Sequence, residues 1–112
     1  GVAFALRSSL SELESAGLLK DYQIRAAGGG SRSRLWTQIV TDVCRHEQKL
    51  TAGSVRAPIG SAFLAGKAVG VVSPEDLQKW VGFRGTVSVQ QDVADAYDRS
   101  YDRFMRYLRM LA

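Results

Sequence analysis

Apolar residues recur near the start of the chain at Val2, Leu6, Leu10 and Leu13, with Glu12 and Glu14 between them. That spacing predicts an amphipathic helix, and Gly17 offers it a left-handed stop, so the helix ends near Ala16. Tyr22, Ile24 and Ala26 then alternate with Gln23 and Arg25, the period of a short strand over residues 22–27. Three glycines follow, and Ser31 and Ser33 are good N-caps for a second helix whose apolar stripe, Trp36, Ile39, Val40 and Val43, is expected to pack on a sheet. Residues 48–52 read as a second, weaker strand. Pro58 suits the first turn of a third helix rich in small residues (Gly60, Ser61, Ala62, Ala65, Gly66, Ala68), which permit close approach of a neighbour. Ser73, Pro74, Glu75 and Asp76 form a strong start for a short fourth helix ending near Val81. Residues 82–89 are punctuated by glycine and β-prone, and read equally as a loop or an edge strand. Val93, Tyr97, Tyr101, Phe104, Leu108 and Leu111 trace one face of a last helix from about Asp92 to the end. The order is that of an α/β unit with too few strands for a large sheet.

Composition narrows the class. At 112 residues, with 46% hydrophobic and 23% charged residues, the chain bounds one small globular domain rather than a disordered segment. The net charge of +4 is mild, and Asp95 and Asp102 each precede an Arg (Arg99, Arg106) by one helical turn, so the basic end reads as a solvated, partly paired helix face. A single cysteine, Cys44, excludes an internal disulfide, and with the lone His46 it cannot supply a four-ligand zinc site. No apolar run reaches the roughly 20 residues of a membrane span, and the opening GVAFALR is too short for a signal peptide. The expectation is a soluble protein of the reducing cytoplasm. Because the chain enters a helix at once, without a capping residue before Gly1, an upstream segment is expected to be missing.

The sharpest local signal is strand, Gly28, Gly29, Gly30, Ser31, Arg32, Ser33, then helix. Glycines there let backbone N–H groups approach a phosphate near a helix N-terminus. They serve equally a tight turn that needs their dihedrals and binds nothing. The G-x-G-x-x-G fingerprint fails, since Ser33 stands at its last glycine, and the P-loop pattern fails because five residues separate Gly60 from Gly66 and Ala68 replaces the magnesium-binding hydroxyl. Cys44 and His46, two apart, are poorly placed as nucleophile and base and read as structural. Trp36, Trp80 and the C-terminal tyrosines could stack on a base, but Tyr97, Tyr101 and Phe104 at helical spacing read as core.

The segments GVAFALR, IRAAGGGSRSRLWTQIVTDV and APIGSAFLAGKAVG stand in the order and distances of the C-terminal domain of FGGY-family carbohydrate kinases. The resemblance covers nearly the whole chain and is closest to xylulokinase-like and gluconate-kinase-like members. It implies part of an actin-like (ribonuclease H-like) lobe, the C-terminal half-domain of a two-lobe sugar kinase that transfers the terminal phosphate of ATP to a sugar hydroxyl with magnesium. Gly28, Gly29, Gly30 and Ser31 would then line the nucleotide, with Ser33 and Arg34 toward the adenine side. The catalytic Asp and most sugar contacts would lie upstream, so the isolated chain is expected to be inactive, with magnesium held by the nucleotide and no ligands of its own here. The run RHEQKLTAGSVRAPIGSAF departs from the family, where a more apolar strand and an Ala-Leu-Gly-Ala-Ala helix start are usual. The rivals are a basic nucleic-acid-binding module and a degenerate scaffolding lobe. With a covering lobe absent, exposed apolar surface is expected on the first or the small-residue helix, and with it self-association into a homo-oligomer.

Overall fold

The computed structural model describes residues 1–52 and 57–112. The first helix, α1, runs Val2–Ser15. Gly17 at φ +70° closes it, with Gly17 N–H donating to Glu14 O (2.9 Å) and Leu18 N–H to Leu13 O (3.0 Å), a Schellman ending. The expected strand forms over its central part, β1, Ile24–Ala26. A single 3₁₀ turn, Gly30–Arg32, leads into α2, Arg34–Cys44. Ser33 is its N-cap, its hydroxyl accepting from Trp36 N–H at 3.2 Å. The weaker second strand is β2, Gln48–Thr51. After α3 (Ala57–Ala68) and α4 (Leu77–Trp80), the ambiguous glycine-punctuated segment forms a strand, β3, Phe83–Val87, before α5, Gln91–Leu111.

The sheet has the order β1-β2-β3, with β1 parallel to β2 (Ile24 opposite Gln48) and β3 antiparallel to β2 (Gln48 opposite Val87). A β1–α2–β2 crossover is what a parallel pair requires. The face of α2 turned to the sheet is not the apolar stripe. Gln48 donates from Nε2 to Thr41 Oγ1 (2.9 Å) and Thr37 O (3.2 Å), and Gln48, Thr37 and Thr41 are all buried. A buried amide must be satisfied, so it draws the threonine face of α2 onto the strand. Trp36, Ile39 and Val43 instead border Val2 and Phe4 of α1 and Tyr97 of α5. Three short strands offer less apolar area than two flanking helices, and the stripe follows the larger area.

The aromatic stripe of α5, expected as core, packs against α1 but stays half-buried, and Ala94 is the buried residue of the helix. The Phe4 ring lies 6.4, 6.0 and 5.6 Å from those of Tyr97, Tyr101 and Phe104, and the Arg7 guanidinium sits 4.2 Å over Tyr101. The charges on this helix pair differently from expectation. Asp95, expected beside Arg99, bonds Arg45, which also donates to Asp98 (2.6 Å). Arg7 meets the same Asp98 at 2.6 Å. Arg45 follows the last turn of α2 in a left-handed conformation (φ 56°), which carries its side chain toward α5. Buried Asp42 fastens the N-terminus of α5, accepting from Gln90 N–H at 2.7 Å, and also accepts from Gln38 Nε2 at 3.0 Å.

The α3–α4 arm is built otherwise. Within α3 only Phe63 is buried. Gly66 accommodates the chain's own return: a Cβ there would lie 3.0 Å from a Val72 methyl carbon. Ser73 and Asp76 then form a capping box, with Asp76 accepting from Ser73 N–H (3.0 Å) and Oγ (3.1 Å). As expected, apolar side chains are exposed on both helices named above, Val2 (67%) and Leu6 on α1 and Leu64 (66%) on α3, with Val69 (74%) just beyond its end. Residues 53–56, within the run that departs from the family, lie outside the described residues.

Candidate functional site: the glycine turn and its two concavities

The turn after β1 assigns each glycine a different part. Gly28 sits at φ +84°, where a side chain would be strained, so its identity follows from the backbone path alone. Gly30 faces the indole of Trp36, and a Cβ would meet its Cδ1 at 3.4 Å, ordinary contact. Gly29 has an ordinary helical conformation (φ −61°, ψ −43°), and a Cβ there would meet nothing within 4 Å. Neither dihedral nor local packing requires glycine at 29. Ser31 is buried and donates from Oγ to Gly28 O at 2.8 Å, while Arg32 N–H and Ser33 N–H close on Gly29 O and Gly30 O, both at 3.2 Å. Arg84 reaches across from β3 and donates from Nη2 to Ser31 O at 2.7 Å.

Two concavities flank this turn. One, about 430 Å³, is apolar, bordered by Gly28, Ile59, Gly60, Phe63, Leu77 and Trp80, with the Phe63 and Trp80 rings edge-to-face at 5.5 Å. The other, about 520 Å³, lies between α2 and β3 and is bordered by Arg32, Arg34 and Arg84. The sequence-predicted residues divide between them. Gly28 lines the apolar pocket, Arg34 lines the polar groove, Ser31 is held inside the turn, and the Ser33 hydroxyl is engaged as the cap of α2. Of the residues bordering the pocket, Trp80 was legible as an aromatic able to stack, but Phe63 carried no signal beyond its place in a small-residue helix. Arg84 lies in the segment whose pattern left loop and strand open.

Away from the turn, Cys44 is buried, which raises its thiol above the ordinary range and keeps it protonated. His46 accompanies Tyr22 (2.7 Å) and Glu14 (3.1 Å) between α1 and α2, and burial together with the bond to Glu14 pushes Tyr22 up to about 12. Cys44 is thus packed in the interior and His46 is held by side-chain partners. Among the described residues, no group of three or more His, Cys, Asp or Glu could hold a metal ion, and no helix is long and apolar enough to cross a membrane.

No family model matches the chain. It is 30% identical over 111 residues to the xylulose kinase of Haemophilus influenzae, covering 96% of this chain and 22% of that protein. The chain is homologous to part of a xylulose kinase. The crystal structure of xylulose kinase from Rhodospirillum rubrum matches 98% of the chain at a TM-score of 0.77 and 28% identity, over 22% of its own length. Two more distant structures share the fold. Ligand-bound xylulose kinase from Lactobacillus acidophilus has a TM-score of 0.76 at 16% identity, covering 99% of this chain and 23% of that one. Plasmodium falciparum glycerol kinase with ADP has 0.75 at 17%, covering 100% and 23%. The chain thus spans about a fifth of the length of the proteins it matches. Its small three-stranded sheet and packed helices form part of the actin-like fold of sugar kinases.

Proposed function

We propose that the protein carrying this chain is an ATP-dependent sugar kinase acting on a pentulose such as xylulose, and that residues 1–112 are its C-terminal, nucleotide-binding part. The observation that carries this reading is Gly29: a glycine that neither its dihedrals nor its neighbours require, on the open side of a turn homologous to part of a xylulose kinase. Space for a close backbone approach is what such a residue provides. Phosphoryl transfer depends mainly on positioning and charge stabilisation, so a glycine turn that leaves room for a phosphate beside an apolar pocket is a useful fraction of a kinase site. In this reading Gly28 to Ser31 face the nucleotide, Ser33 and Arg34 lie toward its adenine side, and magnesium arrives with the nucleotide. The base that takes the sugar proton and most sugar contacts come from sequence outside this chain.

The full-length protein with ATP, magnesium and a panel of sugars should release ADP only when a sugar is present, fastest with a pentulose. Absence of sugar-dependent ADP across the panel would overturn the kinase reading. Calorimetry of the chain with ATP and its Gly29→Val variant addresses the turn separately, because the added side chain enters open space and leaves the fold intact. Saturable binding by the chain, weakened at least tenfold in the variant, is expected. Equal binding by both would remove the turn from the site.

A further inference from the structure

The arginine-lined groove is shaped by an irregularity of β3. Leu50 pairs with Gly85 and Thr51 with Phe83, so Arg84 is the extra residue of a β-bulge in β3. Bulges re-aim the side chain they carry, and Arg84 is turned onto Ser31 O at 2.7 Å, which fixes one arm of its guanidinium fork. Opposite buried Leu50, Gly85 contributes no side chain, and a Cβ there would meet nothing within 4 Å, so the groove between β3 and the first turns of α2 stays open. Arg34 borders it from α2, and Arg32 adds a third cation. Among the described residues no Asp or Glu borders it. The nearby acids are engaged elsewhere: Asp42 holds Gln90 N–H and Gln38, and Glu47 accepts from Ser88 Oγ at 3.3 Å.

We infer that this groove is an anion site, taking a phosphate-bearing small molecule on the guanidinium groups of Arg84 and Arg34. Its size, about 520 Å³, is that of a metabolite pocket rather than of a lone inorganic ion. Planar forks recognise phosphate oxygens in pairs, and anchoring one arm in advance lowers the ordering cost of binding. The inference stands apart from the nucleotide reading, although the two share Arg34.

Calorimetric titration of the full chain with inorganic pyrophosphate at low salt tests it. Saturable binding is expected, weakened about tenfold or more in Arg84→Gln, which keeps a donor for Ser31 O, and in Arg34→Glu, whose acid suits the first turn of a helix. Arg84→Lys should recover only part of the loss, because an ammonium keeps the charge without the fork. No saturable binding, or undiminished binding in both Arg84→Gln and Arg34→Glu, overturns the site. Gly29→Val separates the sources of the anion: pyrophosphate binding that survives a variant unable to bind ATP belongs to the groove, whereas joint loss would mean that the phosphate sits at the turn and not in the groove.

Discussion

The chain is held together in two different ways. Around α2 the buried groups are largely polar and answer one another: Gln48 to Thr37 and Thr41, Thr51 Oγ1 to Ala26 O at 3.0 Å, Asp42 to Gln90 and Gln38. In the α3–α4 arm almost nothing polar is buried, and one aromatic contact, Phe63 on Trp80, links the two helices while apolar side chains face outward. Directed bonds specify a single arrangement and are costly to leave half made; apolar surface tolerates many arrangements but needs something to cover it. The first region is therefore complete within the chain. The second has the character of a surface designed to be covered, in keeping with a chain that spans about a fifth of its relatives.

The largest expected effect lies in the polar region. Asp42→Leu removes the buried carboxylate that holds both Gln90 N–H and Gln38, and should lower stability by about 3 kcal/mol in urea unfolding, in a single transition of the whole chain. Phe63→Ala should cost less, about 2 kcal/mol, since its surroundings are thin enough to collapse; hydrogen exchange should show protection lost in α3 and α4 while β2 and α2 keep theirs. Equal, global losses from both would erase the distinction drawn between the regions.

Legibility in the sequence follows the same division. Helices with clear stops and caps, α1 at Gly17, α2 at Ser33 and the Ser73–Asp76 start, were readable because their determinants are local. Periodicity misplaced the apolar stripe of α2, since it reports which residues seek burial and not which neighbour offers the larger area. The pairing of Asp95 with Arg45 rests on a left-handed residue at the end of another helix, which no spacing within α5 reveals. At the candidate site, the glycine turn was visible as a motif, but the distinct parts of Gly28, Gly29 and Gly30 needed the backbone. Arg84 needed the bulge.

A smaller effect comes from Asp98, whose carboxyl is held down to about 2 by Arg45 and Arg7. Its folded value is depressed, so its contribution is whole above the ordinary carboxylate range and is lost as pH falls from about 4 to about 2. Asp98→Asn should cost about 1 kcal/mol at neutral pH, as for a part-exposed pair, and flatten the acid limb of stability against pH. A limb that keeps its slope in the variant would place the acid sensitivity elsewhere. The smallest change in stability, under about 0.5 kcal/mol, is expected for Leu64→Ser on the exposed face of α3, but sedimentation should show reduced self-association.

The bond between Arg7 and Asp98 spans 91 positions, and the Phe4 ring waits for those of Tyr97, Tyr101 and Phe104. On a ribosome adding roughly 5 to 20 residues each second, the first helix would spend about 5 to 20 s without its partners. The earliest part of this chain to be made is thus among the last to be packed, and in that interval its apolar face is the one a chaperone would meet.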